Sequence, residues 1–485
     1  MPQSDPTPFV QRFAALLDTS TTHPANQWLA LAFPAPCRAA PQMCEAPLSG
    51  ERSLFQSGNG RGDQGHAFLV IGFGTAKRFV AEGPNRFALL QRQLRDFWPQ
   101  VARQNAANAA AQASLCAMGG AAFFAHPSRD DAWASFANAE FTLPRWSYLR
   151  HRDAATLIAL LSPASRRAPD AFLSEAQQLS RWLDAGTTAR CAAFETASPV
   201  VPLPQNDELS QTTGNAPQDA SLRQLIADAL TQIHNAQLEK VVISQATPLH
   251  LHAPPRLSRI VAHLLAHHPQ SHIFALERGP ACFVGATPER LATVTGKGTQ
   301  LYTDVLAGTW PRTPGGLRDA AEIAALRACE KNRREFSHVK RTVAQTAAQL
   351  GGTVHSEDTG VRTLASIHHL HAPITATFAD RPIHILDAVA TLHPTSAVCG
   401  IPSQDAADWL KAHEPHDRGW YAGPVGWFNP QGDGEAWVGI RSALLHGNTA
   451  VLYAGGGIIA GSEPEAEVAE IRLKQSVMRQ TIEAT

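Results

Sequence analysis

Residues 453–474 read YAGGGIIAGSEPEAEVAEIRLK, and two elements meet inside that stretch. Up to Ala460 small and apolar residues run without a charge, which predicts a strand. At Ser462 the pattern changes. Glu465 stands three residues on, the spacing of a capping box, and Pro464 falls in the first turn, so a helix is predicted to open at Ser462. Within that helix Glu467, Glu470 and Lys474 are spaced i, i+3 and i+7 and share one face. Gly455, Gly456 and Gly457 are costly to order, because glycine loses the most backbone freedom on folding. Close approach of backbone to a ligand is a reason to keep them, with N–H groups available to an anion. They do not fit the GxGxxG spacing of a dinucleotide site.

Working outward, EAWVGIRSALL (435–445) reads as the strand before AVLYAGGGIIA (450–460), with a turn at Gly447-Asn448. LEKVVISQATPLHLHA (238–253) is a further strand. HIFALERG (272–279) and ACFVGAT (281–287) form a hairpin about Gly279-Pro280. One long helix is expected from about Leu317 to Leu350. There Phe336, Val339, Val343, Ala347 and Leu350 make one apolar stripe ending at Gly351-Gly352. Earlier in the chain HAFLVIGFG (66–74) reads as a strand, and residues 88–104 and 172–185 read as helices. Strands and helices come in runs, not in strict alternation, which gives an α+β fold. Residues 196–221, rich in Pro, Ser, Thr, Asn and Gln, read as an exposed connection between a first part, 1–215, and a second, 216–485.

Composition narrows the function. Lys and Arg number 41 against 42 Asp and Glu, a net charge of −1, which gives no electrostatic reason to expect nucleic acid or an anionic membrane as partner. No apolar run approaches the roughly 18 residues needed to cross a bilayer. The polar start, MPQSDPTPFVQRF, lacks the pattern of an export signal, so a cytoplasmic location is expected. The seven cysteines have no CxxC spacing and read as free thiols of a reducing compartment. The histidine clusters at 250/252, 267–268 and 368–371 have no Cys or acidic partner at metal-ligand spacing, which argues against zinc.

Three further residues could carry chemistry, and each also has an ordinary reading. Glu335 lies beside the apolar stripe, as a helix-edge residue or as one of the few carboxylates a hydrated Mg²⁺ needs. Lys240 stands at the mouth of a Val-Val-Ile strand, either snorkelling or functional. Glu289 follows a strand at a Pro turn, where both surface and catalytic carboxylates occur.

Taken in order, KVVISQ (240–245), FVGATPERL (283–291), LAGT (306–309), KNRREF (331–336), HHL (368–370), LHPTSAVCGIP (392–402), RGWYAGPVGW (418–427), GIRSALL (439–445) and residues 453–474 resemble the chorismate-utilising enzymes, and within them the isochorismate synthase branch. In the first part the likeness is looser, chiefly LPRWSYLR (143–150). The resemblance implies an α+β chorismate-binding fold like that of anthranilate synthase component I, a large β-sheet core with flanking helices. It implies chorismate as substrate and Mg²⁺ as cofactor. Lys240 then matches the general base that takes a proton from water attacking ring carbon 2. Glu289 matches the acid that protonates the hydroxyl leaving ring carbon 4. Glu335, Glu467 and Glu470 match the metal-binding set. Ala307, Gly308, Thr309, His369, Tyr421, Arg441, Gly455, Gly456, Gly457 and Lys474 match substrate-binding positions. The chemistry is consistent: hydroxide is a poor leaving group and needs an acid, and water is a poor nucleophile and needs a base.

Some positions depart from the family pattern. Gln245 stands where many relatives have Arg, Phe336 where many have His, and Asn332 where an acid is common. Ala307 stands where the aminodeoxychorismate branch carries Lys, and Lys240 is a lysine that anthranilate synthases lack. Both of those branches take ammonia from a glutaminase partner, so water is the expected nucleophile here and no glutaminase subunit is expected. The rival readings are a salicylate synthase, which would expel pyruvate in the same pocket, and a chorismate-binding protein without activity.

Overall fold

Lys240–His250, rich in β-branched residues, pairs along its whole length with Thr449–Ile459, so that Lys240 faces Ile459, and Val242 faces Gly457. In this computed structural model residues 9–19, 23–58, 68–106, 114–126, 128, 130–185, 216–313 and 315–485 are described. Residues 196–215 of the expected connection lie outside them, and 216–221 instead open the helix Ala216–His234.

Outward from the central pair, Ser442–His446 joins Thr449–Ile459 on one side and Ala281–Thr287 on the other. The hairpin of His272–Arg278 with Ala281–Thr287 forms as expected, Gly279 taking φ +54° at its turn. Gln300–Pro311 pairs with Ile367–Thr377. Strands of the first part enter the same sheet: Arg52–Gln56 pairs with His272–Arg278, and Ala117–Ala121 with Pro424–Phe428. The described strands make one 20-stranded sheet, antiparallel except where Trp28–Ala35 runs parallel to Val101–Asn105. With helices packed on it, the fold is α+β with a large sheet core, as read from the sequence.

Two apolar cores flank the sheet. Phe336, Val339, Val343 and Ala347 of the helix Glu330–Ala348 enter one, so the stripe holds over those positions. The terminal helix Pro464–Glu483 reaches both cores, with Val468 and Ile471 in the first and Val477, Met478 and Ile482 in the second.

Elsewhere local structure departs from the sequence reading in four further places. The helix expected over 88–104 is Arg86–Phe97, since Pro99 turns the chain into a short 3₁₀ turn and the strand Val101–Asn105 follows. The helix expected over 317–350 is two, Asp319–Ala328 and Glu330–Ala348, because Cys329 is extended (φ −65°, ψ 115°). The strand expected over 435–445 is also two, Gly434–Val438 and Ser442–His446, and Arg441 between them takes φ +51°. The capping box at Ser462 does not form. Glu463 is the N-cap without a side-chain bond, and Ser462 instead donates to Glu467 Oε1 at 2.7 Å while accepting from the Ile459 N–H.

Candidate active site

One cavity opens between two helices of the second part, Glu330–Ala348 and Pro464–Glu483, and the strand ends of the sheet. The helix Glu330–Ala348 presents Lys331, Asn332 and Glu335 to it. The terminal helix presents Glu467, Glu470 and Lys474, and the sheet side presents Glu289, Ala307, Gly308, Thr309, His369, Tyr421, Arg441, Gly455 and Gly457. Of the expected site residues, two stand off the cavity lining. Lys240 is buried just behind it, its Nζ donating to Glu335 Oε1 at 2.9 Å. Gly456 alternates to the other face of its strand, where a Cβ would meet Ile471 at 3.2 Å and lie 3.6 Å from Glu467 Oε2.

The glycine run is needed for room. A Cβ on Gly455 would stand 3.0 Å from the Tyr421 hydroxyl, and one on Gly457 would stand 3.1 Å from both Glu335 Oε1 and Lys240 Cε. Gly308 has another reason. It takes φ +70° where the pairing of Gln300–Pro311 with Ile367–Thr377 slips between Ala307 and Thr309, and a Cβ there would stand 3.0 Å from Asn332 Cβ. Such a bulge wants the left-handed conformation that glycine adopts freely.

Glu289 is buried at the end of the strand Ala281–Thr287, its N–H donating to Thr287 Oγ1 and its carbonyl accepting from the Val438 N–H. Burial pushes its carboxyl up to about 7. Asp304 adds to that rise, while Lys240, the Thr395 hydroxyl and Arg441 oppose it. Asp304 is itself held well below the usual carboxylate range: burial works against this, but His371 at 2.9 Å and the nearby Arg362 and Arg290 outweigh it. Arg362 also donates to the Pro288 carbonyl at 3.0 Å, so the same network fixes the turn that carries Glu289.

The opposite wall is charged. Glu335 holds Lys240, Glu467 holds Lys331 at 2.7 Å, and Glu470 holds Lys474 at 2.6 Å. Burial favours the neutral form of Glu470, yet the charge and hydrogen bond of Lys474, with Lys331 adding to them, keep it well below its ordinary range. Between the walls, His369 Nδ1–H donates to the Gly308 carbonyl at 3.2 Å. Its Nε2 therefore accepts, 3.5 Å from Arg441 Nη2, and burial with Arg441 and Lys474 nearby keeps the ring neutral, its pKa about 3. Arg441 is buried, with its backbone in a conformation that costs a non-glycine residue about 1–3 kcal/mol when fixed at a functional site. Tyr421 stacks on Tyr453, ring centroids 5.2 Å apart.

Several residues of this site are not in the sequence-based set, among them Lys331, Asn332, Asp304 and Arg362. Lys331 stands one turn before Glu335, a spacing that marks a shared face. Asp304 and Arg362 carry no local signal, since only strand pairing brings them to Pro288. The histidine cluster also changes meaning: His368 lies 3.4 Å from Glu322 and 3.6 Å from Asp319. This is the one His/Cys/Asp/Glu trio among the described residues whose donor atoms lie within 4.8 Å of one another. Its members are already engaged, Asp319 by Arg312 through two bonds of 2.8 Å, Glu322 by Thr313, and His368 by Thr363.

Comparison with known proteins gives the family. The family model for chorismate binding enzymes matches residues 48–483, and the chain belongs to that family. It is similar to the salicylate biosynthesis isochorismate synthase of Pseudomonas aeruginosa, 31% identical over 85% of this chain and 82% of that one. It is also similar to the isochorismate synthase MenF of Bacillus subtilis, 30% identical over 74% of this chain and 73% of that one. Among solved structures, MenF of Escherichia coli, described as a menaquinone-specific isochorismate synthase, superposes with a TM-score of 0.73 at 25% identity, covering 97% of this chain and all of that one. The fold is shared more widely, with anthranilate synthase component I of Streptococcus pneumoniae at a TM-score of 0.64 and 16% identity. The resemblance to the chorismate-utilising enzymes and their isochorismate synthase branch therefore holds. Among the described residues no helix is long and apolar enough to cross a membrane.

Proposed function

We propose that this protein is a Mg²⁺-dependent isochorismate synthase that converts chorismate to isochorismate with water as nucleophile. The observation that carries the reading is the pair of carboxylates facing one cavity, the buried Glu289 pushed up to about 7 and the partly exposed Glu470 held well below its usual range. A carboxyl near 7 retains a proton at neutral pH and suits a general acid.

Glu289 gives its proton to the hydroxyl leaving ring carbon 4, and Lys240 takes one from the water that attacks ring carbon 2. Arg441 and Lys474, with the neutral His369 between the walls, suit the two carboxylates of the substrate. The donors on the acidic wall fit Mg²⁺: Glu335, Glu467 and Glu470 offer only hard oxygen, and all three line the same cavity. Bound there, the ion would supply positive charge against a substrate carboxylate that these glutamates would otherwise repel. The free thiols among the described residues suit a cytoplasmic enzyme.

Purified protein with chorismate and Mg²⁺ near neutral pH is expected to give a mixture of chorismate and isochorismate, with salicylate and pyruvate at trace levels. Chromatography of the quenched reaction, read beside salicylate fluorescence, tests it. Stoichiometric salicylate with no added lyase would make the protein a salicylate synthase, and unchanged chorismate would leave a binding protein.

A further inference from the structure

Three carboxylates and three lysines pair one to one along the acidic wall, and the three lysines are not alike. Lys240 is fixed in the sheet with its side chain 4% exposed. Lys474 is held twice, by Glu470 and by the Gly455 carbonyl at 3.0 Å. Lys331 sits on the helix surface with its side chain 39% exposed, bonded to Glu467 and, among the described residues, to no second acceptor. Its partner is the most buried of the three carboxylates, 3% exposed, and the oxygen that Lys331 bonds, Oε1, also accepts from the Ser462 hydroxyl. A carboxylate that buried is costly without a positive partner. Lys331 supplies one from a side chain long enough to swing into solvent. The charges of Glu335 and Glu470 also act on it, and Glu335 stands one helical turn away on the same face but is engaged by Lys240.

We propose that Lys331 is a built-in counter-ion of the cation site: it holds Glu467 until a divalent cation takes that carboxylate, then moves to solvent. It would thereby compete with the cation and set its affinity. This rests on the reading of Glu335, Glu467 and Glu470 as cation ligands. The exchange removes one positive charge from the cavity and brings two, a gain of one that a substrate with two carboxylates absorbs.

The test is Mg²⁺ binding by titration calorimetry, without chorismate, to the wild type, Lys331→Met, Lys331→Arg and Glu470→Gln. Lys331→Met is expected to bind Mg²⁺ roughly three- to tenfold more tightly, the size of a partly exposed ion pair removed from the competition. Lys331→Arg should stay near wild type, and the gap between Met and wild type should narrow as salt rises. Thermal unfolding gives a second readout. In chelator Lys331→Met should melt below wild type, and Mg²⁺ should raise its Tm by more than it raises the wild type's. Unchanged or weaker binding by Lys331→Met, with wild-type binding that Glu470→Gln weakens, overturns the counter-ion role and leaves the cation site standing. No Mg²⁺ binding by any of the four proteins overturns both.

Discussion

Glu289 and Glu470 are the same side chain on opposite walls of one cavity, the first buried and the second 29% exposed, and their acidities are driven apart. At Glu289 burial dominates and the nearby carboxylate of Asp304 reinforces it, so the proton is retained to about pH 7. At Glu470 burial is outweighed by a lysine one turn along the same helix. The difference teaches that depth and the immediate neighbour together assign the role: a deeply buried carboxyl without a bonded cation suits an acid, and a partly exposed one with a bonded cation suits a ligand. The trio Asp319, Glu322 and His368 adds a further contrast. Its donors are closer together than those of the cavity wall, but Arg312, Thr313 and Thr363 already engage them.

The largest expected effect comes from breaking the acid side. Glu289→Gln and Lys240→Ala should each lower turnover by roughly 10²–10⁴, the usual worth of a positioned proton transfer, with chorismate affinity much less changed. Steady-state rates and equilibrium binding separate the two, and near-normal turnover in either variant removes that assignment. Next, Glu470→Gln should raise the Mg²⁺ needed for half-activity by at least about tenfold, read from a titration against chelator. An unaltered Mg²⁺ requirement would deny Glu470 its place as a ligand.

A smaller effect tests the acidity of Glu289 directly. Its carboxyl ordinarily ionises at 4.5, and in the folded protein at about 7. The cost of its buried charge is therefore absent below 4.5, grows as pH rises between the two values, and is complete above 7. Glu289→Gln should then melt roughly a few degrees above wild type at about pH 8 and show no gain at about pH 4.5. For the same reason, catalytic activity should fall as pH rises through the acid's pKa. Asp304→Asn removes a charge that raises that pKa, so this limb of the turnover profile should move to lower pH, by less than about one unit. A limb that does not move would show that Asp304 acts only through the hydrogen bonds that fix the turn. The smallest effect is expected at the engaged trio: Asp319→Asn should leave the Mg²⁺ titration unchanged. A marked shift there would make that trio, not the cavity wall, the metal site.

Local pattern carried much of this protein. The apolar stripe over 336–347, the Gly279 turn, the strand character of 240–250 and the one-face spacing of Glu467, Glu470 and Lys474 are properties of short segments, legible because side-chain period reports backbone conformation. Pattern failed where the chain had to bend toward a distant partner. The break at Cys329 and the positive φ of Arg441 interrupt segments whose apolar residues continue through them, since a period in hydrophobicity does not show where the backbone changes direction. The order of the motifs made Glu289 and Glu470 candidates. That one stays protonated and the other ionised depends on charges 15 residues away in one case and four in the other, and on how deeply the fold buries them. Coulomb interaction and desolvation act through space, so only the tertiary structure decided which carboxylate kept its proton.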